Sequence, residues 1–102
     1  MSRTPNRITL VCYDITSNKL RRKIDKCLKD FGIRLQYSVY LCRLDAGGVV
    51  QCRDSLLMVL ERYQKEKRSG DSLIILERLN PNAASCLLGS GIIDDELVFR
   101  VF

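Results

Sequence analysis

A single aspartate, Asp14, stands between an apolar run and a strongly basic stretch of the chain. The run ITLVCY has the length and composition of a buried β-strand, so Asp14 falls at the carboxyl end of that strand. A carboxylate there, followed by cations, could hold a divalent metal ion that faces a phosphate group. Aspartate at a strand-to-helix junction is also a common turn and capping residue. The residue by itself leaves both interpretations open.

The chain of 102 residues contains no histidine, and this narrows the chemistry that it could perform. Ser-His and Cys-His nucleophilic catalysis, histidine general acid–base chemistry and histidine metal ligation are all excluded. Five cysteines occur without a Cys-x-x-Cys pair, mostly at apolar positions, so we expect small buried thiols rather than a disulfide framework or a zinc site. Reduced thiols of this kind are typical of a cytoplasmic protein.

Size and charge point to one small domain, residues 1–102, with an anionic partner. The net charge is +5 and the pI is about 9.1, and nucleic acid is the commonest partner of a small basic domain; a merely basic surface is the alternative. No apolar run approaches the ~20 residues that span a bilayer, and the polar start MSRTPNR is unlike a secretory signal. We therefore expect no membrane association.

Two amphipathic helices are predicted. The first begins after the capping candidates at 16–18, carries an apolar stripe from Leu20 to Phe31, and ends with Gly32 as the residue that follows the C-cap. The second follows a turn at 45–48 and covers about 49–67. Its stripe comprises Val49, Arg53, Leu56, Leu57, Leu60 and Tyr63. The charged member, Arg53, could contact a partner subunit.

The strand candidates lie between and after these helices. Residues 33–44 form either one long strand or a tight hairpin, and periodicity leaves both open. The short run SLIIL at 72–76 predicts a strand that is buried on both faces. A last β-rich run covers 97–102, ahead of which Asp94, Asp95 and Glu96 form an acidic trio.

The order of elements predicts an α+β domain, because two helices can pack on one face of a small antiparallel sheet. With the hairpin, the order becomes the ferredoxin-like βαββαβ arrangement plus a C-terminal strand. That strand lies in an extension, 80–102, and an apolar edge strand needs a partner. Pairing with a second copy would give a two-fold homodimer, and pairing with its own sheet is the alternative.

The first predicted helix carries cations outside its apolar stripe, among them Arg21, Arg22 and Lys23. Such a surface would bind a nucleic-acid backbone with little sequence preference and with strong salt dependence. A solvated helix face is the alternative. The tyrosines at 37 and 40 could stack on bases, although strand tyrosines more often belong to a core or an interface.

The segments VCYDIT and LRRKIDKCLKDFGIRLQYSVYLCRL resemble the Cas-two family, the small CRISPR-associated subunit of the spacer-acquisition machinery. The resemblance rests on a strand that ends in Tyr-Asp, on Leu-Arg opening the first helix, and on the series Gly-x-Arg-x-Gln-Tyr-Ser-Val-aromatic. It covers roughly residues 8–79. The ordered set at these separations is specific, whereas Tyr-Asp alone is not.

The resemblance implies a ferredoxin-like homodimer in which the C-terminal strand crosses toward the partner, and it favours the hairpin at 33–44. It also implies magnesium-dependent endonuclease activity on RNA or double-stranded DNA. In the acquisition complex of this family, the dimer bridges two Cas-one integrase dimers and holds prespacer DNA.

Residue roles follow from the same resemblance. Asp14 matches the metal-binding, catalytic carboxylate, with Mg²⁺ or Mn²⁺ as the ion and the two-fold mate supplying a second carboxylate. Arg21 and Arg34 match arginines that contact phosphate, and Tyr13 and Tyr40 match aromatic residues near the cleft. Lys23 stands where some members have arginine, which keeps the charge but loses the planar fork.

Three functions therefore remain open. The first is a metal-dependent endonuclease, and the second is a non-catalytic DNA-binding scaffold for an integrase. The third is a ferredoxin-like toxin-type ribonuclease outside CRISPR systems.

Overall fold

The computed structural model describes residues 8–79. The predicted strand at 97–102 and the extension at 80–102 lie outside this range. Seven elements follow one another in the order β1 (Ile8–Asp14), α1 (Asn18–Leu28), β2 (Gly32–Gln36), β3 (Val39–Cys42), α2 (Ala46–Arg62), a 3-10 turn (Gln64–Glu66) and β4 (Ser72–Leu79).

The four strands form one antiparallel sheet in the order β2-β3-β1-β4. The first strand lies in the interior of the sheet, between β3 and β4, and it pairs Val11 with both Tyr40 and Ile75. This topology confirms the predicted α+β, ferredoxin-like βαββαβ fold. Within the described range, no helix is long and apolar enough to span a bilayer.

Residues 33–44 contain a hairpin rather than one long strand. Gln36 pairs with Val39 across a two-residue turn made of Tyr37 and Ser38. Ser38 adopts a positive φ of 71°, a conformation that tight hairpin turns require. The carbonyl of Ser38 also accepts a hydrogen bond from the Tyr13 amide at 3.1 Å, so the turn is tied to the end of β1.

Both helices begin at side-chain caps. The Ser17 hydroxyl accepts from the Leu20 amide at 3.2 Å, as the capping candidates predicted. The Asp45 carboxylate accepts from the Gly48 amide at 2.7 Å, so α2 begins at Ala46. The turn predicted at 45–48 is therefore wrong, because the aspartate caps the helix and the two glycines lie inside its first turn.

Gly32 does not follow a helix C-cap; it is the first residue of β2. A Cβ atom at this position would lie close to the Leu41 carbonyl oxygen and about 2.7 Å from the Cys42 sulfur. Glycine is required here because β2 and β3 approach closely.

The main core lies between the sheet and the two helices. We call this side of the sheet the covered face. Its fully buried side chains include Val11, Leu20, Ile24, Leu28, Tyr40 and Leu56. The α2 stripe differs from the predicted one, because Cys52 is buried where Arg53 was expected, and Leu57 is 56% exposed. Arg53 instead lies within 3.5 Å of Glu77 at the surface.

The opposite side of the sheet is apolar but has no layer over it among the described residues. We call it the open face. Ile8 and Leu41 form a small buried cluster there with Leu10, Ile33, Leu35 and Leu79. Ile74 and Leu76 on β4 remain 53% and 44% exposed. The prediction that residues 72–76 are buried on both faces is therefore wrong for this part of the chain.

The four described cysteines are free thiols, of which Cys42 and Cys52 are buried and Cys12 and Cys27 partly buried. Burial raises the pKa of Cys42 to about 12 and that of Cys52 to about 11, so both remain protonated and unreactive.

Candidate metal and nucleic-acid site

Asp14 is the last residue of β1 and pairs with Ser72 of β4. Side chains alternate along a strand, and Tyr13 packs in the covered core. The Asp14 carboxylate therefore lies on the open face, beyond Leu10 and Cys12. It is exposed, and within residues 8–79 it makes no hydrogen bond or ion pair. A free carboxylate of this kind is available to a ligand.

The donor chemistry at Asp14 fits a magnesium or manganese ion. These ions prefer oxygen ligands, keep several waters, and often take only one or two protein carboxylates together with substrate phosphate oxygens. Residues 8–79 contain no group of three or more metal-ligating side chains. A metal ion at Asp14 would therefore complete its ligand set with water, phosphate or a second subunit.

The loop that follows Asp14 is fixed to the turn before β4. The amide and hydroxyl of Thr16 both donate to Asp71 Oδ1 at 3.0 Å, and the Ser17 hydroxyl donates to Glu66 at 2.7 Å. Hydrogen bonds from the Arg68 amide and from Thr16 lower the pKa of Asp71. These hydrogen bonds hold the backbone next to Asp14. The roles of Glu66 and Asp71 could not be predicted from the sequence, because their partners lie about 50 residues away in the chain.

Arg21 and Arg34, both predicted to bind phosphate, come together at the tip of the β2–β3 hairpin. Their guanidinium carbons lie 5.6 and 6.0 Å from the ring centre of Tyr37, whose side chain is 67% exposed. Arg21 donates to the Ile15 carbonyl at 3.0 Å, one residue beyond Asp14. The two arginines and Tyr37 form a cluster that we call the arginine–tyrosine cluster.

Asp25 anchors this cluster and was not anticipated from the sequence. Its carboxylate accepts from Arg34 at 2.7 Å and from the Tyr13 hydroxyl. Interactions with Tyr40 and Asp25 raise the pKa of Arg34. The sequence carries one signal for this role of Asp25. It lies three residues before the buried Leu28 and is therefore a polar residue near the inward-facing side of α1.

The other two predicted nucleic-acid ligands lie elsewhere on α1. Arg22 is fully at the surface, and Lys23 points to the opposite flank of the helix, where its ammonium lies 5.5 Å from the Tyr63 ring centre. The structure therefore divides the predicted set, because only Arg21 and Arg34 converge on one cluster.

Tyr13 and Tyr40, predicted as cleft aromatics, lie in the core of the covered face, with exposures of 6% and 1%. Burial, followed by the hydrogen bond to Asp25, raises the pKa of Tyr13 far above its usual value. Their role as cleft aromatics stays a prediction, and in the described chain both rings are fixed in the core. Adjacent strand residues face opposite sides, so Tyr13 and Asp14 are separated by the sheet itself.

Comparison with known proteins is consistent with this geometry. The family described as CRISPR associated protein Cas2 matches residues 7–80. CRISPR-associated endoribonuclease Cas2 3 of Chloroflexus aurantiacus is 45% identical over 60 residues, which cover 59% of this chain and 64% of that protein. Cas2 2 of Synechocystis sp. is 51% identical over 35 residues, which cover 34% and 38%. The chain thus spans less than two thirds of the length of these relatives.

Solved structures share the fold. The hypothetical protein TT1823 of Thermus thermophilus is 31% identical with a TM-score of 0.57, covering 83% of this chain and 93% of that one. Cas2 of Streptococcus pyogenes is 26% identical with a TM-score of 0.55, covering 68% and 82%. The family match extends over most of the chain and over all the described elements. This protein belongs to the CRISPR associated protein Cas2 family.

Proposed function

We propose that this protein is a metal-dependent endonuclease that cleaves phosphodiester bonds of RNA or duplex DNA, and that it acts in CRISPR spacer acquisition. The observation that carries the proposal is the exposed, unpaired Asp14 carboxylate at the end of β1. The names of its relatives, CRISPR-associated endoribonucleases, support the same class of reaction. Family membership removes the support for a toxin-type ribonuclease outside CRISPR systems.

In this proposal the Asp14 carboxylate holds Mg²⁺ or Mn²⁺. When bound, such an ion stabilises negative charge on phosphate and lowers the pKa of a coordinated water. The arginine–tyrosine cluster lies on the helix side of the sheet, with Asp25 and Tyr40, and in this proposal it binds a substrate phosphate on the other side of the sheet from the Asp14 carboxylate. Arg21 is held by the Ile15 carbonyl and Arg34 by Asp25, so both guanidiniums are positioned before substrate arrives. Guanidinium groups that are already held in place lose little side-chain freedom when they bind a phosphate.

We also propose that the protein acts as a homodimer through its open face. Exposed apolar side chains on β4, Ile74 and Leu76, support this arrangement because a second copy would remove them from water. Asp14 adjoins the same face, so a two-fold axis nearby would bring two carboxylates together, a pairing that favours cation binding. The C-terminal strand at 97–102 remains the predicted means of pairing.

A second candidate function is a DNA-binding scaffold that carries prespacer DNA and joins Cas-one integrase dimers without cleaving DNA. One observation favours it: residues 8–79 contain no group of three or more side chains that could hold a metal ion. A scaffold needs only the cations, and Arg21, Arg22 and Arg34 remain at least partly accessible at the surface.

The deciding experiment measures cleavage of labelled single-stranded RNA and duplex DNA, with and without Mg²⁺ or Mn²⁺. The wild type is compared with Asp14→Asn and with the matched control Asp54→Asn, which removes an exposed carboxylate on α2. Binding of the same nucleic acids is followed across a salt series, because phosphate contacts weaken steeply as salt rises.

The endonuclease proposal expects metal-dependent cleavage that is lost in Asp14→Asn and retained in Asp54→Asn. Cleavage that is equal in all three proteins would remove Asp14 from the reaction. Salt-sensitive duplex binding without any cleavage would leave the scaffold as the function.

A further inference from the structure

A groove of about 420 Å³ runs between the two helices. Each helix, together with the residues just after it, forms one wall of the groove. The lining residues of each wall are spaced i, i+3, i+4, i+7 and i+8 along the chain. The lining residues are Lys23, Lys26, Cys27, Asp30 and Phe31 on one side, and Ser55, Met58, Val59, Arg62 and Tyr63 on the other. This volume lies within the ~300–1,000 Å³ of ordinary ligand pockets.

The floor of the groove is apolar. Cys27, Phe31, Val59 and Tyr63 are partly buried and pack against the covered core, so they are held in place from below. Met58 stands at the rim with 63% of its side chain exposed. Methionine is flexible and polarisable, and it adapts its shape to apolar partners. The groove could therefore bury an apolar side chain that enters from solvent.

The rim is mainly cationic. Lys23, Lys26 and Arg62 face a single acid, Asp30. A further cation, Lys19, lies 5.9 Å from the ring centre of Tyr63, on which Lys23 also rests at 5.5 Å. Among the described residues, none of these four cations takes part in an ion pair. Within the described part of the chain the rim therefore keeps a net positive charge, with Asp30 as its single acid.

We propose that this groove binds an acidic amphipathic peptide segment of a partner protein. Apolar side chains of the segment contact the floor and Met58, and its carboxylates meet the cations of the rim. The five lining residues on each side span positions 23–31 and 55–63, and at about 1.5 Å per residue a helix makes about two turns over that length. This matches recognition of a short helix through apolar residues at i, i+3, i+4 and i+7.

A nucleic-acid backbone fits the groove less well. Phosphates would use the rim cations but would leave the apolar floor and Met58 without a contact. The groove also lies on the helix layer, whereas Asp14 lies on the open face of the sheet. The peptide site is therefore separate from the proposed nuclease site, and both can be occupied at once.

The first test uses the full chain and a fluorescently labelled peptide of about a dozen residues, with leucines at i, i+3, i+4 and i+7 and glutamates elsewhere. Binding is measured by fluorescence anisotropy. Met58→Glu should weaken binding at least about tenfold, because it places a negative charge beside the apolar floor. The matched control is Leu57→Glu, the neighbouring exposed residue that does not line the groove, and it should bind like the wild type.

A second pair of variants tests the charges. Arg62→Glu removes a rim cation, whereas Lys65→Glu makes the same charge change just beyond the groove. We expect several-fold weaker binding only for Arg62→Glu, with larger losses at low salt than at high salt. The unfolding midpoint of each variant shows that it has kept its fold.

Three results would overturn the proposal. In the first, Met58→Glu and Leu57→Glu bind equally, or a peptide with serines in place of the leucines binds as well as the original. In the second, single-stranded or duplex DNA displaces the peptide and loses affinity in Met58→Glu, which would make the groove a nucleic-acid site. In the third, sedimentation shows self-association that Met58→Glu abolishes, which would make a second copy the occupant.

Discussion

The two faces of the sheet differ in how far a single chain completes them. On the covered face, α1 and α2 exclude water from a contiguous core, and the Asp25 carboxylate beside this core has partners in Tyr13 and Arg34. On the open face, Ile74 and Leu76 remain in contact with water, and Asp14 has no partner among the described residues. The covered face is thus closed by the two helices, whereas the open face combines a buried cluster around Ile8 and Leu41 with exposed apolar side chains on β4.

This difference separates residues that maintain the fold from residues available for function. Tyr13 and Asp14 are neighbours in sequence, but the first is fixed in the core and the second is free at the surface. A carboxylate without an internal partner is the one that a cation or a phosphate-bound metal can recruit. Four substitutions can break or sharpen the contrast.

The largest expected effect is that of Ile24→Ala on the covered face. Ile24 is fully buried in the core, and removing its side-chain atoms leaves a cavity between α1 and the sheet. We expect the free energy of unfolding to fall by about 2–5 kcal/mol. Urea denaturation measures the loss. A loss below about 1 kcal/mol would mean that the helix layer packs more loosely than described.

Asp25→Asn should cost less, about 1–3 kcal/mol, because it removes the charge that holds Arg34 and the Tyr13 hydroxyl while keeping the shape of the side chain. The phenol of Tyr13 should then titrate at lower pH, since the carboxylate contributes to its raised pKa. Denaturant unfolding and ultraviolet titration of tyrosine measure the two effects. Asp54→Asn is the control, and equal destabilisation by both variants would argue against the Asp25 anchor.

Ile74→Ala matches Ile24→Ala in chemistry but lies on the open face. In dilute protein it should cost less than about 1 kcal/mol, because the side chain is already 53% exposed. If a second copy covers this face, the loss should grow with protein concentration, since dimerisation stabilises the folded state by mass action. Urea denaturation at low and high protein concentration checks this. A cost that is independent of concentration would contradict dimerisation through the open face.

Asp71→Asn should have the smallest effect, and it should depend on pH. The folded-state pKa of Asp71 is lowered, so the carboxylate stabilises the protein above its unfolded-state pKa, and this contribution disappears as the pH falls through the folded value. The variant should therefore have a lower thermal midpoint than wild type near neutral pH, and the difference should vanish in acid. A difference that stays constant down to about pH 2 would exclude the Asp71 charge as its cause.

The sequence predicts the fold well because its main patterns are local. The apolar stripe of α1, the Ser17 cap and the β-rich hairpin segment all depend on neighbours within a few residues. Where the predictions fail, a tertiary contact decides the outcome. Gly32 is a glycine because β3 lies against it, and β4 has an exposed side because nothing in the described chain covers the open face.

The candidate site was predictable only in part. The position of Asp14 at the end of a strand follows from the apolar, β-branched run that precedes it. The division of the cations could not be foreseen, because Arg34 depends on Asp25 and Lys23 on Tyr63 across separate elements. The burial of Tyr13 and Tyr40 was obscured by the resemblance, which places aromatic residues near the cleft without stating which face of the sheet they occupy.

The position of β1 in the interior of the sheet has a consequence for the order in which the protein folds as it is synthesised. The β2–β3 hairpin closes over a two-residue turn, whereas β1 must also wait for β4, whose Leu73 pairs with Tyr13 about 60 residues later. Long loops close more slowly than short ones. One edge of β1 therefore remains unpaired until nearly all the described chain has emerged from the ribosome, and during this interval the exposed edge is an aggregation hazard.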